Sequence, residues 1–167
     1  RSSDLANALY RRGFVQEGWK ALKTLADTAL DFDTSRIYPG IPEYFRADGR
    51  GMYHYLTGAA SWYMMTMITQ VFGVRGEAGD LLLQPKLTAA QFDAEGSASV
   101  HVTFAGRRLE IRCQNPGRLE YGQYRVQKVL CGDAELCAGS CDSVIIPRRV
   151  IEALPAEQKQ VFTVYLG

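Results

Sequence analysis

The sequence has no excess of charge of either sign. Its 19 lysines and arginines nearly balance its 18 aspartates and glutamates, which gives a formal net charge of +1 over 167 residues. Dedicated nucleic-acid-binding proteins usually carry a basic excess, and attraction to anionic membranes requires clusters of lysine and arginine. The balance therefore argues against both classes. A hydrophobic content of 47% excludes a disordered chain and predicts one compact unit or two small ones.

The sequence also lacks a hydrophobic run of the length that a membrane-spanning helix needs. The most apolar stretch, residues 56–74, is interrupted by small and polar residues that include Gly58, Ser61 and Thr66. A spanning helix needs about 20 predominantly apolar residues. We therefore interpret the stretch as a buried core helix. The first residues show no signal-peptide pattern, which favours a cytoplasmic location.

Cysteine and histidine are scarce, with four and two residues respectively. Three of the cysteines, Cys131, Cys137 and Cys141, have the spacing C-x5-C-x3-C, which differs from the paired C-x2-C spacing of a zinc ribbon. The pattern favours reduced thiols in a cytosolic protein, and we expect neither a metal site nor an organic cofactor. Metal binding or a Cys137–Cys141 disulfide is the alternative.

The periodicity of the sequence changes near residue 76. Apolar residues recur at helical spacing over residues 3–31, where Gly13 leaves open whether there are two helices or one kinked helix. Residues 57–74 predict a second helix, which is apolar on all sides and therefore buried. Residues 32–56 are rich in glycine, proline and aromatics, a composition more typical of a site than of a linker.

The second half of the sequence alternates between apolar and polar residues. Residues 100–104 and 109–113 alternate on either side of Ala105-Gly106, which predicts a β-hairpin. A second turn is expected at Gly132-Asp133, and strands are also predicted over residues 80–87, 124–130, 144–147 and 161–166. Several short strands separated by turns indicate a β-sandwich.

Candidate functional residues cluster before and at the start of the second predicted helix. Thr57 and Gly58 could hold a phosphate on free backbone N–H groups, or Thr57 could simply cap the helix. His54, Glu43 and Arg50 are candidates for binding a sugar or an anion, and each could equally be an ordinary surface or structural residue. No motif of a serine hydrolase, zinc protease or P-loop enzyme is found.

The motifs IPEYF (41–45), GRGMYHYLTGAASW (49–62), FGV (72–74) and GDLLLQPKL (79–87) resemble the C-terminal end of the inverting sugar phosphorylases of glycoside hydrolase family 94. The sequence YPGIPEYF (38–45) is most similar to the C-terminal part of the cyclic β-1,2-glucan synthases. The resemblance is specific over residues 36–87 and looser elsewhere.

This resemblance implies an α+β chain in which residues 1–75 form the last helices of an (α/α)6 barrel and residues 76–167 form a small antiparallel β-sandwich domain. It also implies a glycosyltransferase activity in which inorganic phosphate, as co-substrate, splits a β-glucosidic bond with inversion. The family's phosphate-binding Thr-Gly pair matches Thr57 and Gly58. The general acid of the family lies in earlier helices, so no catalytic residue is assigned here.

Several expectations follow for the 167 residues. Alone they should be inactive, and their exposed helix faces should pack on the remainder of the barrel or self-associate. The location implied is cytoplasmic, either free or as the cytoplasmic part of a larger inner-membrane protein. The alternative function is a carbohydrate-binding or structural β-sandwich module, for which Tyr121 and Tyr124 are the candidate aromatic residues.

Overall fold

The computed structural model describes residues 2–37, 40–53 and 58–167. These residues divide into two compact units, Arg1–Met67 and Ile68–Gly167. The boundary lies within a π-helical turn, Met67–Val71. The boundary expected from the sequence, after residue 75, falls inside the first strand of the second unit.

The first unit is mainly helical. Its elements are α1 (Ser2–Arg11), α2 (Val15–Leu30), α3 (Phe32–Ser35), β1 (Tyr44–Phe45), β2 (Gly51–Met52) and α4 (Gly58–Thr66). Gly13 has a φ of 83°, a left-handed conformation that favours glycine, and it reverses the chain between α1 and α2. The interruption that the sequence shows at Gly13 therefore separates two helices.

Two close contacts hold the helices of the first unit together. A Cβ at Gly18 would lie 2.6 Å from the ring of Tyr10, so α2 can approach α1 closely only because residue 18 is glycine. The buried Asn7 side chain donates a hydrogen bond of 3.1 Å from Nδ2 to Oγ1 of Thr66, which connects α1 to α4. Burial raises the pKa of the Tyr10 hydroxyl, so this phenol stays neutral in the core.

The second unit is mainly β-structure. Its elements are β3 (Val74–Glu77), β4 (Asp80–Leu83), β5 (Ser97–Phe104), β6 (Arg107–Gln114), β7 (Val126–Cys131), β8 (Ala134–Cys141), β9 (Val144–Ile146), α5 (Arg148–Glu152) and β10 (Gln160–Leu166). A short 3-10 turn, Ala89–Gln91, lies between β4 and β5. One sheet has the order β5-β6-β10-β7-β8, and a smaller sheet has the order β3-β4-β9.

Alternate residues of the central strands form the core of the second unit. Strand β10 buries Phe162, Val164 and Leu166, while the residues between them are half-buried. Its neighbour β6 contributes Leu109 and Ile111 to the buried set. This alternation follows from the strand geometry, in which successive side chains point to opposite faces.

The expected fold class is wrong. The described residues contain five short helices and ten strands in three sheets, which is largely β-structure, and not the last helices of an (α/α)6 barrel. Glycine is one physical reason, because Gly13 ends α1 and Gly73, with a φ of 64°, precedes β3. The expectation that the β-structure of residues 76–167 is antiparallel is also wrong, because β10 pairs parallel with β6.

The second helix is not buried on all sides, and it exposes apolar side chains, as expected for the 167 residues alone. Helix α4 ends at Thr66, and its Met64 side chain is 60% exposed, with Trp62 and Met65 exposed as well. The predicted hairpin, in contrast, is confirmed: β5 and β6 pair antiparallel, with Phe104 opposite Arg107. The turn at Gly132-Asp133 is also confirmed, because Cys131 pairs with Ala134.

None of the helices among the described residues combines the length and apolar character that crossing a membrane requires.

Candidate functional site

A small hairpin in the first unit carries most of the candidate residues that the structure describes. Strands β1 and β2 pair antiparallel, with Tyr44 opposite Met52 and Phe45 opposite Gly51. The register continues beyond the strands, since the Glu43 N–H donates to the Tyr53 carbonyl at 3.0 Å. Residues 43–53 are called the aromatic hairpin below.

Glycine and aspartate determine the shape of the aromatic hairpin. Its turn contains Gly49, which has a φ of 83°, and the Arg50 N–H donates to Oδ1 of Asp48 at 3.2 Å. Asp48 and Gly49 therefore form the turn of the aromatic hairpin. A Cβ at Gly51 would lie 2.3 Å from Cδ1 of the buried Ile37, so glycine lets the hairpin lie against this side chain.

Two exposed tyrosine rings form the most prominent feature of the aromatic hairpin. The ring centroids of Tyr44 and Tyr53 are 6.2 Å apart, with an angle of 34° between the ring planes. Tyr53 is 70% exposed and Tyr44 is 49% exposed. Tyr53 has a φ of 55°, which is uncommon for a residue with a Cβ and interrupts strand alternation at this position.

Two arginines lie on the same strand face as Tyr44. Because side chains alternate along paired strands, Arg46 and Arg50 share the face of Tyr44 and Met52. Both arginines are exposed, and Arg46 forms a solvent-exposed ion pair with Asp48 at 3.5 Å. The aromatic hairpin thus combines apolar ring surfaces with guanidinium donors, which suits a ligand that has both apolar faces and oxygen acceptors.

The structure separates the candidate residues rather than gathering them at one point. Glu43 lies at the open end of the aromatic hairpin and is half-buried, whereas Arg50 lies at the turn end. Three strand positions separate them, a distance of roughly 10 Å along the strand. Glu43 and Arg50 therefore lie at opposite ends of the aromatic hairpin.

Two of the predicted site residues, His54 and Thr57, lie outside the described residues. Gly58 is the first residue of α4 and is exposed. The nearest atom to a Cβ built at Gly58 is Cδ1 of Trp62, at 4.0 Å. The backbone at Gly58 is therefore accessible to a ligand.

The four cysteines are free thiols, and Cys113 is fully buried. Burial raises the pKa of the Cys113 thiol to about 12, so this thiol stays protonated at neutral pH. Burial, with a further contribution from neighbouring Cys137, also raises the pKa of Cys141. Within residues 2–37, 40–53 and 58–167, no group of three or more His, Cys, Asp or Glu side chains is arranged to hold a metal ion.

Sequence reasoning did not single out Tyr44 and Tyr53 as site residues. The available signal was the aromatic content of residues 32–56 in a region rich in glycine and proline. The pairing of β1 with β2 is what brings the two rings together, and a strand pair of two residues each is too short for a periodicity argument.

Comparison with models of known protein families and with curated proteins gave no match to this chain.

Proposed function

We propose that this chain is part of a carbohydrate-active protein that splits β-glucan by phosphorolysis or builds it, similar to the C-terminal regions of inverting phosphorylases and cyclic β-1,2-glucan synthases. The observation that carries the proposal is the exposed Tyr44–Tyr53 ring pair on the same hairpin as Arg50, within the segment that resembles those enzymes. Tyrosine rings pack against the apolar face of a sugar ring, and a guanidinium donates to its hydroxyl groups.

The phosphate subsite in this proposal lies at Thr57 and Gly58. Inorganic phosphate would attack the anomeric carbon while the bond from that carbon to the leaving oxygen breaks and an acid protonates the leaving oxygen. The role of the chain is to bind phosphate and sugar, and the acid is assigned to none of its residues. Gly58 supports this assignment because its backbone is exposed at the start of α4.

Chain connectivity keeps the sugar and phosphate positions close to one another. Gly58 lies five positions after Tyr53 in the sequence, and a fully extended chain over five positions spans at most about 18 Å. A short oligosaccharide that packs on the tyrosine rings could therefore extend toward phosphate at Gly58.

The sugar-binding part of the proposal is tested by a matched pair of variants in the intact chain. Binding of β-1,2- and β-1,4-linked glucose disaccharides is followed by NMR, with Tyr53→Ala and the control Phe14→Ala. Both side chains are exposed and aromatic, but Phe14 lies between α1 and α2 and is not part of the aromatic hairpin. Tyr53→Ala should weaken binding about threefold to tenfold, the loss of one ring contact of about 0.5–1.5 kcal/mol. Equal binding by both variants would refute the sugar-binding role.

The phosphate part of the proposal is tested by Thr57→Val, with inorganic phosphate as the probe. Loss of one hydrogen bond to a charged group, worth about 1.5–3 kcal/mol, should weaken phosphate binding roughly ten- to a hundredfold. Thr103→Val, an exposed threonine of the second unit, should leave phosphate binding unchanged. Melting curves without phosphate separate a capping effect from a binding effect. An unchanged phosphate affinity in folded Thr57→Val would show that Thr57 does not bind phosphate.

The exposed side chains of α4 support a partner in the complete assembly. Trp62, Met64 and Met65 give this helix an apolar solvent-facing surface, which in the proposal is covered by the remainder of the protein or by a second copy of the chain. We expect the purified chain to self-associate and to bind a hydrophobic dye. Met64→Lys should reduce both in sedimentation and fluorescence measurements, and a monomeric wild-type chain that binds no dye would contradict this expectation.

A further inference from the structure

The second unit contains a polar cavity that the proposed phosphorolysis does not use, and its lining includes the two tyrosines named above for the alternative carbohydrate-binding function. The cavity has a volume of about 230 Å³, and its lining includes Tyr121, Tyr124, Gln84, Arg125 and Asp142. All of these residues belong to the second unit, whereas the aromatic hairpin belongs to the first. At about 30 Å³ per water molecule, it has the volume of seven or eight waters, which suits one six-membered sugar ring rather than a longer ligand.

The aromatic wall of the cavity is fixed by hydrogen bonds. The buried Tyr124 hydroxyl accepts from the Leu87 N–H at 2.7 Å and donates to the Leu87 carbonyl, with an oxygen–oxygen distance of 2.9 Å. These bonds tie the ring to the segment that follows β4. Because its hydroxyl is anchored, Tyr124 is a rigid support for the residues packed on it.

Tyr121 rests edge-on against this support. The two ring centroids are 6.3 Å apart, with an angle of 78° between the ring planes, and Tyr121 is 37% exposed. The turn that presents Tyr121 is closed by a hydrogen bond from the Gln123 N–H to the Glu120 carbonyl at 2.9 Å. Gly122 has a φ of 93°, a conformation that glycine adopts readily at the third position of such a turn.

The polar groups of the cavity offer both donors and acceptors and have no net charge. Arg125 Nε lies 3.4 Å from Asp142 Oδ1, and both side chains are more than half exposed, so each keeps hydrogen-bonding capacity for a ligand. The side-chain oxygen Oε1 of Gln84 accepts a hydrogen bond of 2.7 Å from the Arg75 guanidinium. This bond identifies Oε1 as the acceptor and leaves the side-chain amide nitrogen as a donor.

We propose that this cavity binds a single neutral sugar ring of a glycan chain. A hydroxyl group both donates and accepts, so neighbouring sugar hydroxyls can use Arg125 and Asp142 together, while Tyr121 packs against the C–H face of the ring. Asp142 repels an anionic ligand and Arg125 repels a cationic one, so a neutral polyol is the ligand that matches both groups.

This second site goes beyond the proposed phosphorolysis, because it binds sugar without reacting with it and lies in the other unit. It would hold a glycan on the protein whether or not the aromatic hairpin takes part in a reaction. A single ring with one aromatic contact predicts weak binding, with a Kd in the millimolar range.

The experiment measures amide shifts in the intact, isotope-labelled chain as methyl β-glucoside is added, with glycerol, inorganic phosphate and arginine as comparison probes. We expect saturable shifts at Gly122 and Arg125 with the glucoside alone. Tyr121→Ala should weaken this binding about threefold to tenfold, and Asp142→Ala should weaken it by at least a similar factor. Both side chains are exposed and lie outside the core, so both variants should remain folded, which their melting curves check.

Several outcomes would overturn the second site. Shifts at Gly122 and Arg125 that do not saturate, or that glycerol reproduces, would exclude a sugar site in this cavity. Tighter binding of phosphate or arginine than of glucoside would show that the ligand is charged. The failure of this site is distinguishable from that of the proposed function, because Tyr53→Ala should leave the Gly122 shifts unchanged and Tyr121→Ala should leave disaccharide contacts at the aromatic hairpin unchanged.

Discussion

Replacement of Glu110 by glutamine should destabilise the second unit in a manner that depends on pH. Glu110 lies on β6 and is only 4% exposed, yet its carboxylate is charged because Lys159 and Arg112 pair with it. Lys159 Nζ donates to Oε2, Arg112 Nε donates to Oε1 at 3.0 Å, and His101 Nε2 lies 3.3 Å from Oε2. Hydrogen bonds from Lys159 and Arg112 lower the pKa of Glu110 to about 2.

The magnitude follows from the linkage between proton binding and folding. A carboxyl whose pKa falls from 4.5 in the unfolded chain to about 2 in the folded protein would stabilise the fold by at most about 3 kcal/mol at neutral pH. The side chains of Lys159, Arg112 and His101 are themselves 42–67% exposed, so water screens the interaction. We therefore expect Glu110→Gln to cost about 1–2 kcal/mol at pH 7.

The sign of the pH dependence distinguishes this mechanism from a packing defect. The folded protein holds the depressed pKa, so the stabilisation is fully present above about pH 4.5 and is lost as the pH falls toward 2. The stability difference between wild type and Glu110→Gln should therefore shrink below pH 4.5. A packing defect would give a difference that does not change with pH.

Urea unfolding at several pH values, with a probe in the second unit, measures this difference directly. Glu135→Gln on β8 is the control, because its side chain is exposed and the change should stay within about 0.5 kcal/mol. A Glu110→Gln midpoint equal to that of wild type at pH 7, or a deficit that persists unchanged at pH 3, would refute the electrostatic account.

Three further predictions concern packing and buried hydrogen bonds. Gly73→Ala should lower the free energy of unfolding by about 3 kcal/mol or more in chemical denaturation, because the new Cβ would lie 1.8 Å from a backbone carbonyl oxygen. In the control Gly132→Ala the new Cβ would have no atom within 4 Å, so only the left-handed φ should cost stability, about 1–2 kcal/mol. Tyr124→Phe should lower stability by about 1–3 kcal/mol because the buried Leu87 N–H loses its acceptor; an unchanged denaturation midpoint would contradict this role. Asn7→Ala should cost about 1–3 kcal/mol by leaving a buried hydroxyl of α4 without its donor, and hydrogen exchange in α1 and α4 should rise together.

Local elements of the second unit could be predicted because their signals are local. Residues 100–104 and 109–113 alternate on either side of Ala105-Gly106, where both residues have positive φ, so the β5–β6 hairpin follows from neighbouring residues alone. The sheet order could not be predicted in this way. Gln160 of β10 pairs with Leu109, and alternation within either strand does not specify such a distant partner or a parallel direction.

Helix burial could not be predicted from hydrophobic content alone. The composition of α4 indicates burial on all sides, but Met64 faces solvent in the described structure. Apolar composition shows that a helix can be covered, and its neighbours decide how much of it is covered. The first unit supplies contacts from α1 on one side, including the bond between Asn7 and Thr66, which is why Thr66 is buried while Met64 is not.

The electrostatics of Glu110 make it unsuited to act as a general acid. A general acid in an inverting mechanism needs a carboxyl that holds its proton near neutral pH, usually because an apolar environment raises its pKa. Glu110 is a buried carboxyl of the second unit, but Lys159 and Arg112 move its pKa in the opposite direction, to about 2, so it cannot donate a proton at neutral pH. The groups that could contact a sugar are instead the tyrosine rings and exposed arginines of each unit. In the proposed function such groups hold and orient a glycan, and the general acid is assigned to none of the described residues.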